Sequence, residues 1–74
     1  MNLPAEVRAE MGRQNIRPAH LSELSGINEA TISRKVTNEI RTLDLAEAEA
    51  LAQALGVPLW ELMRRAEHGE GAAA

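Results

Sequence analysis

Apolar residues recur along the chain at spacings of three and four, and proline, glycine and asparagine break them into five short runs. Such spacing places side chains on one face of a helix. In the first run Val7 and Met11 form an i, i+4 pair behind Pro4, which suits a first helical turn. Asn15 ends that helix, being one of the few residues that tolerate a left-handed turn. The second run opens at Pro18, where a missing N–H costs nothing, carries Leu21 and Leu24 as its buried stripe, and stops at Gly26. Arg17 stands at its cap, a poor choice of residue there. The third run starts from Asn28, a good N-cap just after apolar Ile27, turns Ile32 and Val36 inward, and ends at Asn38 as a left-handed terminator.

A polar connection, "NEIRT", follows, with Ile40 expected beneath it. "DLAE", Asp44 to Glu47, then reads as a capping box in which Asp replaces the usual Ser or Thr, with Thr42 as the rival cap. Leu45, Ala48, Leu51, Ala52 and Leu55 follow helical spacing up to Gly56. Pro58 opens a fifth helix whose apolar set is Leu59, Leu62 and Met63. From His68 onward "HGEGAAA" has little to bury, so residues 1–67 are expected to form the domain and 68–74 a flexible tail.

Composition supports an all-α fold. Phe and Tyr are absent, Trp60 is the single aromatic residue, and β-branched residues never alternate over a strand length. At 74 residues without cysteine, the chain has no disulfide or thiolate metal site to staple it, so helix packing must hold it together. His20 and His68 are too far apart for metal-ligand spacing, and no metal or other cofactor is expected. There is no Gly-rich phosphate loop and no nucleophile with a base at motif spacing, and so short a chain has little with which to wall a pocket, so no enzyme and no catalytic residue is expected. No apolar stretch reaches membrane-spanning length and no basic-then-apolar signal segment opens the chain, making the cytoplasm the expected location.

Taken alone, "NEATISRK" is an ordinary amphipathic helix. Its setting changes the picture. "LSELSGINEATIS" followed by "ALAQALGVP", in that order and separation, resembles the Cro and lambda-repressor-like helix-turn-helix family over roughly residues 5–66. The resemblance implies a compact five-helix domain whose second and third helices form the helix-turn-helix, with the third (about 28–37) entering the DNA major groove. Carried onto this chain, the base-facing positions fall on Asn28, Glu29, Ala30, Ser33 and Arg34. The implied phosphate contacts are Arg13, Arg17, Lys35, Thr37, Asn38, Arg41 and Thr42. Arg34 is suited to donating two hydrogen bonds to guanine, whereas Glu29 excludes more bases than it attracts and Ala30 mostly makes room. Pro18 departs from the pattern, since many relatives have Gln there, and many also have Gly at Asn38 and an apolar residue near Lys35.

A net charge of −3 does not exclude a polyanionic partner, because the charge is unevenly placed. Residues 13–41 carry Arg13, Arg17, Arg34, Lys35 and Arg41 against Glu23, Glu29 and Glu39, a net of +2. Residues 42–74 carry Arg64 and Arg65 against Asp44, Glu47, Glu49, Glu61, Glu67 and Glu70, a net of −4. A mildly basic reading end backs onto an acidic far side. The expected function is a sequence-specific double-stranded DNA-binding transcriptional regulator, a repressor of the phage repressor or Cro type. One domain of this size covers little DNA, so two copies on a palindromic site are expected, joined through some of Leu59, Trp60, Leu62 and Met63, or through a further C-terminal domain. The alternative is a protein-binding module, antitoxin-like, that keeps the fold and uses the fifth helix and the acidic side to hold a partner.

Overall fold

A computed structural model describes residues 2–39 and 41–68. Among them are five helices and no strand. The helix ends follow from local chemistry. α1, Leu3–Gln14, is capped by the Asn2 side chain, which accepts from the Ala5 N–H at 3.1 Å, and ends where Asn15 turns left-handed (φ 57°). α2, Pro18–Ser25, starts behind Arg17 with no side-chain cap and ends at left-handed Gly26. α3, Glu29–Ile32, begins at Asn28, whose side-chain oxygen accepts from the Ala30 N–H at 2.7 Å. α4, Leu45–Leu55, has a complete capping box between Asp44 and Glu47, so Asp44 rather than Thr42 is the cap, and Gly56 terminates it. α5, Leu59–Glu67, follows Pro58. The expected positions of Ile40 and of the tail beyond His68 lie outside the described residues.

The third helix departs from the sequence expectation. After Ile32 the chain winds into a wider turn over Ser33–Thr37, in which the Asn38 N–H reaches back five residues to the Ser33 carbonyl at 2.9 Å. An i→i+5 turn advances less per residue than an α turn. Val36 thereby rotates fully into the core, away from the outward arc that holds Glu29. The extra residue also moves the chain reversal. Asn38, expected to turn left-handed, has φ −100°, and Glu39 takes the left-handed conformation instead, with φ 53°. Arg8 of α1 holds this end in place: its guanidinium donates to the Val36 carbonyl and pairs with the Glu39 carboxylate at 3.0 Å.

One apolar cluster unites the helices: Val7 and Met11 from α1, Leu21 from α2, Ile32 and Val36 from the third helix, and Leu51 and Leu55 from α4. Leu62 of α5 is also fully buried. Two expected core leucines are not in it. Leu24 is 49% exposed because Pro18, Leu21, Ser22 and Ser25 occupy the inward arc of α2, and at 100° per residue Leu24 lies well outside it. Leu45 is 66% exposed; it stands at the edge of the inward arc of α4 and in its first turn, where side chains lean beyond the helix end.

Polar groups complete the packing. Glu10 joins α1 to α5, accepting from Arg65 and Arg13 at 2.9 Å each and from Gln14 at 2.8 Å. Gln14 also donates to the Leu55 carbonyl at 2.6 Å, covering an otherwise unmatched carbonyl at the end of α4. Burial pushes the Glu10 carboxyl up, but the bonds from Gln14, Arg13 and Arg65 outweigh it and leave it below the usual range. A carboxyl lowered by folding stabilises the fold above its unfolded pKa and loses that contribution as the pH falls through its folded value. The Tm should therefore drop as the pH falls below the ordinary Glu value of 4.5, and Glu10→Gln should flatten that dependence in thermal melts at stepped pH.

Glu6 is a different case. It is wholly buried, and neither carboxylate oxygen has a hydrogen-bond partner among the described residues. An unmatched buried acceptor costs about 1–3 kcal/mol, while a carboxylate in a first helical turn recovers about 0.3–1 kcal/mol from the helix dipole. The cost wins. Glu6→Met, which fills similar space, should raise stability by about 1 kcal/mol, measured as the urea midpoint.

Candidate nucleic-acid interface

The turn between α2 and the third helix is set by side chains as well as by Gly26. Ser22 donates its hydroxyl to the Ile27 carbonyl, and the Ile27 N–H donates to the Ser25 hydroxyl at 3.2 Å. Ile27 packs partly buried against the core cluster, and Leu21 and Ile32 lie within that cluster. The angle between the two helices is thus fixed from both sides. The sequence reading named Gly26, Asn28 and the apolar anchors but missed the serines, which "SELSG" carries two and five residues ahead of Ile27.

Asn28, Glu29, Ala30 and Arg34 all stand exposed along the outer side of the third helix, with Ser33 half-buried between them. Thr37 and Asn38 are exposed at its C-terminal end, where the Asn38 amide donates to the Ser33 hydroxyl at 3.3 Å. The following loop returns beside the helix, because the Arg41 N–H donates to the Arg34 carbonyl at 3.3 Å. An open, polar cleft of about 630 Å³ lies between them, lined by Thr31, Arg34, Lys35, Arg41, Thr42 and Glu47. The structure so gathers four of the expected DNA-contacting residues, Arg34, Lys35, Arg41 and Thr42, around one opening. Arg17 is exposed at the start of α2, and Arg13, at the end of α1, is no part of the cleft.

A sequence model of the Cro/C1-type HTH DNA-binding domain matches residues 6–67. The chain belongs to the Cro/C1-type HTH DNA-binding family. No curated protein and no solved structure matches it. The match begins at residue 6, inside α1, and ends on the last residue of α5, so it takes in all of the five helices except the first three residues of α1.

Ion pairing within this Cro/C1-type domain is uneven. Arg8 pairs with Glu39, Arg13 and Arg65 with Glu10, Lys35 with Glu47, and Arg64 with Glu61. Arg17, Arg34 and Arg41 have no ion pair among the described residues. Arg34 and Arg41 line the cleft, and Arg17 begins the helix before the turn. The unpaired guanidiniums are therefore on the helix-turn-helix and the loop after it. Lys35, expected to reach outward, is instead held by Glu47 at 2.7 Å. The Asp44 N–H and then the Lys35 ammonium hold the Glu47 carboxyl below its ordinary range. The Arg8 and Lys35 pairs join residues far apart in sequence and were not foreseen.

The expected dimer residues divide. Leu62 is fully buried inside the protomer, so it drops out as a contact between copies. Trp60 and Met63, one helical turn apart, are 67% and 38% exposed, and Leu59 is half-buried beside them. Among the described residues no group of three or more His, Cys, Asp or Glu side chains could hold a metal ion. No described helix is long and apolar enough to cross a membrane.

Proposed function

We propose that this Cro/C1-type domain is a sequence-specific transcriptional regulator, a repressor that reads the major groove of double-stranded DNA with the helix from Glu29 through Thr37. The observation that carries this reading is the placement of the unpaired cations. In a chain of net charge −3, Arg17, Arg34 and Arg41 are the guanidiniums left without an ion pair among the described residues, and all three belong to the helix-turn-helix or its flanking loop. A duplex presents phosphates on both sides of its groove, so cations flanking a projecting helix are what such docking requires.

Individual roles follow from exposure and chemistry. Arg34 takes the bidentate guanine contact, and Asn28, Glu29, Ala30 and Ser33 shape the rest of the base-facing side. Arg41, Thr42, Thr37 and Asn38 contact the backbone at one edge. Arg17 does so at the other, where the uncapped first turn of α2 leaves N–H groups to donate to a phosphate. Arg13 reaches the backbone only by sharing its guanidinium with Glu10. Two copies bind a palindromic site, joined through the exposed Trp60 and Met63 with Leu59 at the edge.

The test is fluorescence anisotropy with the gene's upstream duplex and a scrambled duplex, at two salt concentrations. Tighter binding to the upstream duplex, weakening as salt rises, is expected. Equal and salt-insensitive signals with both duplexes, together with copurification of a basic protein, would favour the protein-binding alternative.

A further inference from the structure

Glu47 is fixed by three contacts. Its Oε1 accepts from the Asp44 N–H at 3.0 Å and from the Lys35 ammonium at 2.7 Å, and its Oε2 accepts from the same ammonium at 2.7 Å. The first contact is half of the capping box that starts α4, so the carboxylate cannot swing away without giving up that half of the box. This pair lies in the cleft with Arg34 and Arg41, which carry no ion pair of their own among the described residues. Two anionic oxygens bridging an ammonium beside two guanidiniums match what a phosphodiester would offer at the same place. Lys35 is also the only cation of the Glu29–Thr37 helix with an internal ion pair among the described residues.

We propose that Glu47 is a built-in substitute for a DNA backbone phosphate: it occupies Lys35 and so limits how tightly the cleft grips any duplex, whatever its sequence. The inference rests on the DNA-binding reading and adds to it a positioning residue that acts through Lys35. Backbone affinity comes from cation–phosphate contacts, each releasing counterions and steepening the salt dependence. A lysine engaged by an internal carboxylate contributes no such release. A DNA phosphate must then compete with a carboxylate already in place, which keeps sequence-independent binding low without touching the base-facing residues.

The test uses a labelled duplex of scrambled sequence, titrated with the full chain across a range of salt. Glu47→Gln keeps an oxygen for the Asp44 N–H but gives up the charge. It should tighten binding by roughly threefold to tenfold and steepen the log–log salt slope by about 0.9, the value of one extra phosphate contact. Adding Lys35→Met, which keeps the aliphatic stem, should abolish the gain. Glu47→Ala leaves the bond from the residue-47 N–H to Asp44 in place and should give the same gain, which guards against a folding defect in the first variant. Unchanged slope and affinity in both Glu47 variants would overturn the inference while leaving DNA binding intact. A gain that survives Lys35→Met would overturn it too, since the effect would then be general charge removal. Salt-insensitive or absent binding by every variant and by the unaltered chain, to the gene's upstream duplex as well as the scrambled one, would overturn the DNA-binding reading along with it.

Discussion

Replacing Arg34 with alanine is expected to weaken binding to the specific duplex by about 1–3 kcal/mol and to relax the preference at one base pair. The side chain is exposed on the outer side of the third helix and has no ion pair among the described residues, so no internal contact has to break before it reaches a base. Its backbone is held from the far side by the Arg41 N–H, which fixes where the guanidinium starts. A bidentate pair with guanine is the commonest specific contact, and the other exposed residues are poorer readers, since Asn28 uses its side-chain oxygen to cap the helix, Ala30 has no polar group and Glu29 repels phosphate. Arg41→Ala serves as the contrast: it should weaken specific and scrambled duplexes alike and reduce the salt slope by about one. Neither change should move the Tm appreciably, because neither side chain is in the core. Competition titrations against duplexes substituted one base pair at a time distinguish the two behaviours.

Ile32→Ala should destabilise the fold by about 2–5 kcal/mol. Ile32 is buried to 1% exposure within the cluster that also takes in Leu21, Val36 and Leu51, so it anchors the third helix, which packs against α2 and α1, in the shared core. A chain of 74 residues has a total stability of roughly 4–11 kcal/mol, so this one truncation removes a large share of it. Ile32→Val, at about 0.5–1.5 kcal/mol, should leave a folded protein that still binds DNA at low temperature. Urea unfolding followed by circular dichroism reads both values. An unchanged midpoint for Ile32→Ala would mean that the third helix is not anchored as described.

Much of this architecture can be read from the sequence because it is written locally. Asn15, Gly26 and Gly56 each end a helix through their own left-handed backbone, and Asn28 and the Asp44–Glu47 pair each cap one within a few residues. The helix-turn-helix is legible for the same reason, with Gly26, Asn28 and the apolar anchors falling within one short stretch. What escapes is tertiary. Nothing in "SRKVT" announces a wide turn, and the carbonyl of Val36 is satisfied by Arg8, 28 residues earlier. Leu24 and Leu45 look like core by spacing alone, yet their exposure depends on which arc of each helix meets its neighbours. Leu62 shows the converse, an apolar residue suited to a dimer face by composition but turned into the protomer. On the third helix the outward-facing residues were legible by phase around the helix. The pairing of Lys35 with Glu47 was not, because it joins two helices across 12 positions of sequence.

In the proposed complex the helix from Glu29 through Thr37 lies in the major groove with Arg34 against guanine. Dimethyl sulfate probing of the bound specific duplex tests it most directly, since the reagent methylates guanine N7 in the major groove and adenine N3 in the minor groove. Binding should protect guanine N7 at one position in each half-site, and Arg34→Ala should lose this protection. Protection confined to adenine N3, or guanine protection unchanged by Arg34→Ala, would contradict it.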